Sequence, residues 1–459
     1  MEREKLGSRL GFILLSAGCA IGIGNVWKFP WMVGQYGGGL FVLVYLLFLV
    51  IMGVPIMTME FAVGRASQKS PAKMFGTLTP QKRGWQTHGY ASLIGNIILM
   101  MFYTVVSGWI LYYFVKMAKG DFVNQSASQV VTQHGQMMSD PVTQIIFTAI
   151  VVIIGTVVCM LGVKNSLEKV TKVLMIALLF IMIGLAIYCL TLSGAGEGLK
   201  FYLIPNFEYM AQNGITVFDV IEGAMKQAFF TLSLGIGSMA IFGSYLDKNR
   251  SLMGEAVNVA VLDTFVAITA GLIIFPACFT YNDGVVDAGP PLIFQTLPNI
   301  FSDMGVAGRI LGSFFFIFLS FAALSTVFAV FENIFACVMD LTGWSRKKTS
   351  IICGIGLFIL SIPCVLGFNV LAGFTPFGEG SAILDLEDFI VSNVILPIGS
   401  LVFVLFCTLK CGWGYDNFIE EANQGKGLKV KKWMKGYIKY VLPVLTLVFT
   451  IISIVTFFA

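Results

Sequence analysis

Eleven apolar segments set what this chain can become. They run over 9–33, 38–64, 89–117, 142–162, 167–192, 216–246, 253–281, 308–340, 349–368, 386–409 and 437–458. As a helix, each is long enough to cross the ~30 Å hydrocarbon layer of a bilayer. That layer offers no water to an open backbone, so the segments are expected to be helical. With 57% hydrophobic and 12% charged residues, the 459-residue chain reads as an all-α, multi-pass membrane protein. A short charged tail leads into a first segment too long for the apolar part of a signal peptide, so no cleaved leader is expected. The nine cysteines lie in or beside apolar segments without metal or redox spacing and read as small core residues. Only two histidines occur, His88 and His134, which disfavours a histidine-centred metal site or catalytic triad. The net charge of +4 comes from basic residues in particular loops, so nucleic acid is not an expected partner.

Lysine and arginine alternate between loops and give an orientation. Arg3, Lys5 and Arg9 precede the first segment; Arg65, Lys69, Lys73, Lys82 and Arg83 follow the second. Lys164, Lys169, Lys172, Lys248, Arg250, Arg346, Lys347 and Lys348 fall on the same side, as does the basic cluster from Lys426 to Lys439. The N-terminus is therefore expected in the cytoplasm and, after an odd number of spans, the C-terminus outside the cell membrane. Residues 289–304 carry Pro290, Pro291 and Pro298 among Leu292, Ile293, Phe294 and Leu297. They read as a re-entrant or lid-like helical hairpin on the outer side, or else as a plain surface loop.

The first segment is interrupted where a spanning helix should be most regular, at Gly18-Cys19-Ala20-Ile21-Gly22-Ile23-Gly24-Asn25. Each glycine weakens a helix interior by about 1 kcal/mol relative to alanine. A break at that depth must be buried in protein or line a cavity. There its carbonyls can hold a cation, and the N-terminus of the second half-helix can hold an anion. The spacing of Gly18 and Gly22 is equally that of a helix-packing face. A second interruption, Phe229-Phe230-Thr231-Leu232-Ser233-Leu234-Gly235-Ile236-Gly237, falls in the sixth segment. Two breaks five segments apart point to an inverted repeat with a midplane binding site.

Ionisable residues inside spans default to functional candidates. Asp263, Glu60 and Glu332 are such residues. Glu60 is also suited to accept freed backbone N–H groups as a structural carboxylate. Asp263 has few polar neighbours in sequence, so a bound cation is a natural partner. The Ser325 and Thr326 hydroxyls alone would usually bond back to their own helix. Oxygen-rich, sulfur-free and histidine-poor donors suit a hard cation such as sodium.

Taken together, Ala20 to Pro30, Gly37-Gly38-Gly39 and Phe230-Thr231-Leu232-Ser233-Leu234-Gly235 resemble the neurotransmitter:sodium symporter family. Eleven spans rather than twelve resemble its bacterial amino-acid transporter subgroup. The resemblance implies a leucine-transporter-like core: five plus five helices in inverted repeat, helices 1 and 6 discontinuous, plus an eleventh helix. The chain would form one domain over 1–459, with repeats at 9–192 and 216–409 and the extra helix at 437–458. Two sodium sites are implied. The first would use Ala20, Asn25, Thr231 and Asp263 with the substrate carboxylate; the second would use Gly18, Ile21, Ala322, Ser325 and Thr326.

The resemblance also implies a substrate class. Monoamine-carrying relatives have an aspartate at the position of Gly22, whereas glycine leaves room for a substrate bringing its own carboxylate. Tyr103 would donate to that carboxylate, and Gly22 and Gly24 would border it. The amine would meet carbonyls near Ala20, Phe230 and Thr231 and the Ser233 region. The side chain would lie among Cys19, Ile23, Leu99, Tyr103, Phe230, Ile236, Thr326 and Val330, none of which is charged. Hydrophobic L-amino acids are thus the expected cargo, with a betaine or γ-amino acid as the alternative. One methylene is worth about 1–3 kcal/mol in such a pocket, so no ranking among leucine, isoleucine, valine, methionine and aromatics follows. Outside, Lys28 would face Asp388 as a gate, a looser pair than the arginine more common in the family. Inside, Arg3 would meet Asp340 above Ser244 and Tyr245.

Two departures from the family carry expectations. Chloride-dependent relatives have a neutral residue at the position of Asp263, so a fixed carboxylate near Tyr45 and Gln227 implies chloride independence. Its protonation after release would allow proton counter-transport. In the fifth span, Ser166 and Ile176 stand where many members have a glycine and a proline that let the helix unwind. No nucleophile–base pair suggests an enzyme. The intact Asn25, Thr231, Asp263, Ser325 and Thr326 set argues against a non-transporting binding protein on the same fold.

Overall fold

The chain is described here by a computed structural model covering residues 6–282, 284, 286 and 290–458. Within them every regular element is helical, and only two isolated backbone bridges occur, Gly38 with Pro205 and Arg250 with Lys426. Among the described residues, nine helices are long and apolar enough to cross a bilayer: Gly39–Ser67, Gln86–Lys119, Pro141–Met160, Val163–Cys189, Leu252–Tyr281, Gly305–Thr342, Arg346–Leu366, Ile383–Thr408 and Met434–Val455. Two broken spans complete the set. In the first, Arg9–Ala20 and Gly24–Gln35 meet at 56°. In the sixth, Val217–Thr231 and Ser238–Gly243 are separated by six residues. Helices thus lie over each of the eleven expected segments, ten of which, counting the bent first pair as one, are apolar and long enough to span.

Both breaks follow from local sequence. Ile21 turns to extended backbone after its N–H has closed the last bond to Ala17, and a π-turn over Gly24–Lys28 restarts the helix. In the sixth span Gly235 and Gly237 adopt left-handed φ of 95° and 70°, open to glycine at no steric penalty. Ser233 is left-handed too, at φ 50°, a strained geometry for a non-glycine residue and of a kind that collects at binding sites. The released Gly235 N–H donates to Glu60 Oε1 at 2.6 Å, so this buried carboxylate serves the broken backbone.

The third and eighth spans cradle the breaks reciprocally. On the eighth, Thr326 donates toward Gly18 O and Asn333 toward Ile236 O. On the third, Asn96 donates to Ile236 O, while Tyr103 Oη accepts from the Ile23 N–H. Exchanging first for sixth and third for eighth maps one set of contacts onto the other, as a five-plus-five inverted repeat requires.

The 289–304 segment is not a plain surface loop, although Gly289 lies outside the described residues. A π-turn at Leu292–Thr296 runs into the helix Leu297–Asp303, and Leu292, Phe294 and Leu297 are buried. Phe294 packs among Trp27, Trp109, Tyr113 and His134. The segment thus packs against the second half of the first span through Phe294 and Trp27.

Candidate functional site

Two oxygen clusters flank the break in the first span. In one, Asn25, Thr231 and Asp263, from three spans, are all essentially inaccessible to solvent. Asn25 Nδ2 donates to Asp263 Oδ1 at 2.8 Å and to its backbone oxygen at 3.2 Å. The Thr231 hydroxyl lies 3.2 and 3.1 Å from the two carboxylate oxygens, and Tyr45 donates to Oδ2 at 3.4 Å. Asn25 Oδ1 accepts from the Gly22 N–H at 3.1 Å, tying the cluster to the break itself. Ala20 ends its half-helix beside them. Gln227 donates to Gly24 O at 3.1 Å, while its Oε1 is buried without a hydrogen-bond partner.

The second cluster joins the first and eighth spans. Thr326 Oγ1 sits 3.2 Å from Gly18 O, 3.4 Å from Ile21 O and 3.4 Å from Ala322 O. Ser325 donates to Ala322 O at 2.8 Å. Three carbonyls thus surround the Thr326 hydroxyl, and the Ser325 hydroxyl shares one of them, with no carboxylate, nitrogen or sulfur donor among this set. Such a set suits a hard monovalent cation, because a hydroxyl can turn its proton away and offer a lone pair.

Between the clusters lies a cavity of about 30 Å³ lined by Cys19, Ala20, Gly22, Gly24, Leu99, Tyr103, Phe230, Thr231, Ser233, Ile236 and Thr326, with Val391 and Leu396. At the ~10–15 Å³ a water requires, it has room for about two waters, less than an amino acid needs. Eleven of the residues expected around a substrate meet here. Two do not line it: Ile23 faces the outer cavity, and Val330 is buried in the packed core. Val391 and Leu396 of the tenth span were not anticipated, because an apolar residue on an apolar span carries no signal in sequence. Gly22 is confined; a Cβ there would approach Tyr103 Oη to 2.5 Å and Thr326 Oγ1 to 2.7 Å.

Phe230, Tyr103 and Gly24 also border a second, outer cavity of about 250 Å³ that reaches Trp27, Trp31, Asp385 and Asp388. Lys28 stands over it, its Nζ 3.9 Å from Asp388 Oδ2 and 3.9 Å from the Phe230 ring centroid. The aromatic lid and the ionic pair are thus joined through one lysine.

Of the residues expected at an inner gate, Arg3 lies outside the described residues. Asp340 accepts from the Ser70 N–H at 2.8 Å, and Ser244 donates to Ile241 O. Tyr245 donates to Glu332 Oε1 at 2.6 Å, and Arg346 pairs with both oxygens of Glu332. Sequence reasoning singled out Glu332 without this partner, since Arg346 reads only as one charge of a basic loop. In the fifth span, Ser166 sits in a π-turn over Val163–Leu167 that follows Gly162 at φ 98°, and Ile176 lies on an exposed face. Beside that irregular start, Glu168 accepts from the Gly7 N–H and the Ser8 hydroxyl, each at 2.7 Å.

The sodium:neurotransmitter symporter family model matches residues 3–134 and 125–459. The chain is 35% identical over 407 residues to YhdH, a sodium-dependent transporter of Bacillus subtilis, covering 88% of this chain and 87% of that one. It is 32% identical to a sodium-dependent transporter of Haemophilus influenzae, covering 97% of each. The crystal structure of MhsT in complex with L-phenylalanine superposes with a TM-score of 0.86 at 37% identity, covering 98% of this chain and 100% of that one. The chain belongs to the sodium:neurotransmitter symporter family and is a sodium-dependent membrane symporter.

Proposed function

We propose that this symporter imports hydrophobic L-amino acids, takes sodium at two sites and needs no chloride. The observation that carries the reading is glycine at position 22, where even a Cβ would crowd Tyr103 and Thr326, so that position offers no carboxylate to pair with a substrate amine. The substrate must bring its own carboxylate. The N-terminus of the outer half-helix and a sodium ion held by Ala20, Asn25, Thr231 and Asp263 would receive it. Tyr103 Oη, oriented by the Ile23 N–H, would donate its own proton to the same group. The rest of the pocket is apolar or neutral, and MhsT, similar over its whole length, is seen with L-phenylalanine.

The second sodium would sit among Gly18, Ile21, Ala322, Ser325 and Thr326. Its ligands come from the two spans that must part if the inner half of the first helix is to swing. Sodium and substrate share the first site, so each strengthens the other's binding by the same factor. Each sodium charge crossing the membrane draws about 2.3 kcal/mol from every 100 mV. The fixed charge of Asp263 beside Tyr45 and Gln227 repels an anion, which supports chloride independence. Lys28, Asp388, Phe230 and Tyr103 form the outer gate in this reading. Asp340, Ser244 and Tyr245 belong to the inner one, on the cytoplasmic side with the N-terminus.

The test is uptake of radiolabelled leucine and phenylalanine into proteoliposomes under an inward sodium gradient, with chloride or gluconate. Accumulation in both anions is expected. Uptake only in chloride would overturn the anion claim. Accumulation of γ-aminobutyrate or glycine betaine in place of either amino acid would overturn the substrate class.

A further inference from the structure

The second and seventh spans leave an open apolar groove of about 820 Å³ between their lipid-side faces. Val50, Val54, Val261 and Phe265 line it, and Lys429, Lys431 and Trp433 close one end. We propose that this groove binds one anionic diacyl phospholipid, its acyl chain along the valines and its phosphate at the two lysines.

The groove is built in rather than incidental. Pro55 has no N–H, so Ile51 O, four residues earlier, loses its ordinary helical donor. A π-turn over Leu49–Gly53 loosens the helix at the same place. Tyr437 supplies the missing donor, its hydroxyl 2.6 Å from Ile51 O. That bond pins the start of the last span against the second. The other end of the lysine loop is tied to the start of the seventh span. The Lys426 N–H donates to Asn249 O, the Ser251 N–H returns a bond to Lys426 O, and Ser251 Oγ donates to Leu428 O. Lys429 and Lys431 are therefore held between two anchors at the mouth of the groove.

Charge complementarity names the occupant. Both lysines are exposed, and among the described residues neither has an ion-pair partner. Trp433, 75% exposed beside them, is the kind of residue that marks the headgroup layer. Val50 and Val261, 63% and 62% exposed, open the walls to hydrocarbon. An apolar trough ending in two unneutralised ammonium groups fits an anionic lipid, whereas a zwitterionic one brings, beside its phosphate, a quaternary ammonium that the same lysines repel.

The test is native mass spectrometry of the purified full chain in detergent, titrated with phosphatidylglycerol or phosphatidylcholine of identical acyl chains. The first phosphatidylglycerol is expected to bind about tenfold more tightly than phosphatidylcholine. Lys429→Gln with Lys431→Gln should erase that preference. So should Val50→Trp with Val261→Trp, which fills the groove from two lipid-facing positions and leaves the lysines intact. Lys347→Gln, exposed in the first turn of the helix Arg346–Leu366, should leave it unchanged. Equal binding of the two lipids overturns the proposal, as does a preference that survives both double variants. Loss in the lysine variant with retention in the tryptophan variant reduces the effect to surface charge and overturns the groove as the site.

Discussion

The Asn25 amide nitrogen lies 2.8 Å from the Asp263 carboxylate while the Asn25 amide oxygen accepts from Gly22, so one side chain couples the broken backbone to the only charge in its cluster. A sodium ion placed there would take its electrostatic hold from that carboxylate. Removing a charged hydrogen-bonding partner is worth about 1.5–3 kcal/mol, or roughly ten- to a hundredfold in an equilibrium constant. Asp263→Asn should raise the sodium concentration for half-maximal leucine uptake by about that factor and make uptake sensitive to chloride. Wild-type sodium dependence in the variant would remove Asp263 from the site.

Gly22 offers a sharper steric test. A single Cβ there must displace Tyr103 Oη or Thr326 Oγ1, and either shift disturbs a group assigned to substrate or sodium. Overpacking of this kind costs about 1–3 kcal/mol, which a protein of this size tolerates. Gly22→Ala should therefore remain folded in a thermal melt and lose sodium-dependent leucine binding by about a hundredfold at the upper end of that range. Binding within a few-fold of wild type would show that the pocket floor is not where the carboxylate rests.

The outer gate should depend on its ring more than on its charge pair. Lys28 and Asp388 are partly exposed and 3.9 Å apart, a geometry worth about 0–1 kcal/mol. Lys28→Gln should change the dissociation rate of bound substrate less than about fivefold. Phe230 borders both cavities, and Phe230→Ala would join them. Dissociation should then quicken by about tenfold, since losing a partly buried ring forfeits part of the ~1.5–3 kcal/mol that full burial is worth. The reverse ranking, read from washout of radiolabelled leucine, would make the ion pair the real gate.

What could be read from the sequence divides along physical lines. The broken helices were legible because glycine and proline punctuate an otherwise apolar run. Asp263 stood out because a carboxylate inside a span is costly, whereas Asn25 and Ser325 were singled out only through the family resemblance, since a hydroxyl in a span usually bonds back to its own helix. Val391 and Leu396 were not, since an apolar residue facing a cavity looks like one facing lipid or core. Arg346 and Glu332 were read apart, because fourteen residues and a helix junction separate them. The same holds for the buried pair Arg65 and Glu421, which lie 356 residues apart. The left-handed backbone at Ser233 had no signal in sequence, because serine does not announce positive φ.

His134 gives the last prediction, outside the membrane spans. It lies in the helix Ala127–Ser139, its Nδ1 3.0 Å from Tyr113 Oη and its ring stacked on Phe294 at 5.9 Å. Burial pushes its pKa down from 6.5 to about 4, so the folded protein keeps the ring neutral where the unfolded chain would protonate it. Between those two values the unfolded state binds more protons, so stability rises with pH. The contribution is complete above about pH 6.5, falls as pH drops below it, and is gone near pH 4. At about 1.4 kcal/mol per pH unit, the full loss is about 3 kcal/mol, and about 2 kcal/mol of it is reached by pH 5. The expected result is a lower melting temperature at pH 5 than at pH 7.5, with much of that difference abolished in His134→Gln, whose amide still reaches Tyr113 without a titrating ring. An unchanged pH slope in the variant would assign the acid sensitivity to another group and leave His134 as packing alone.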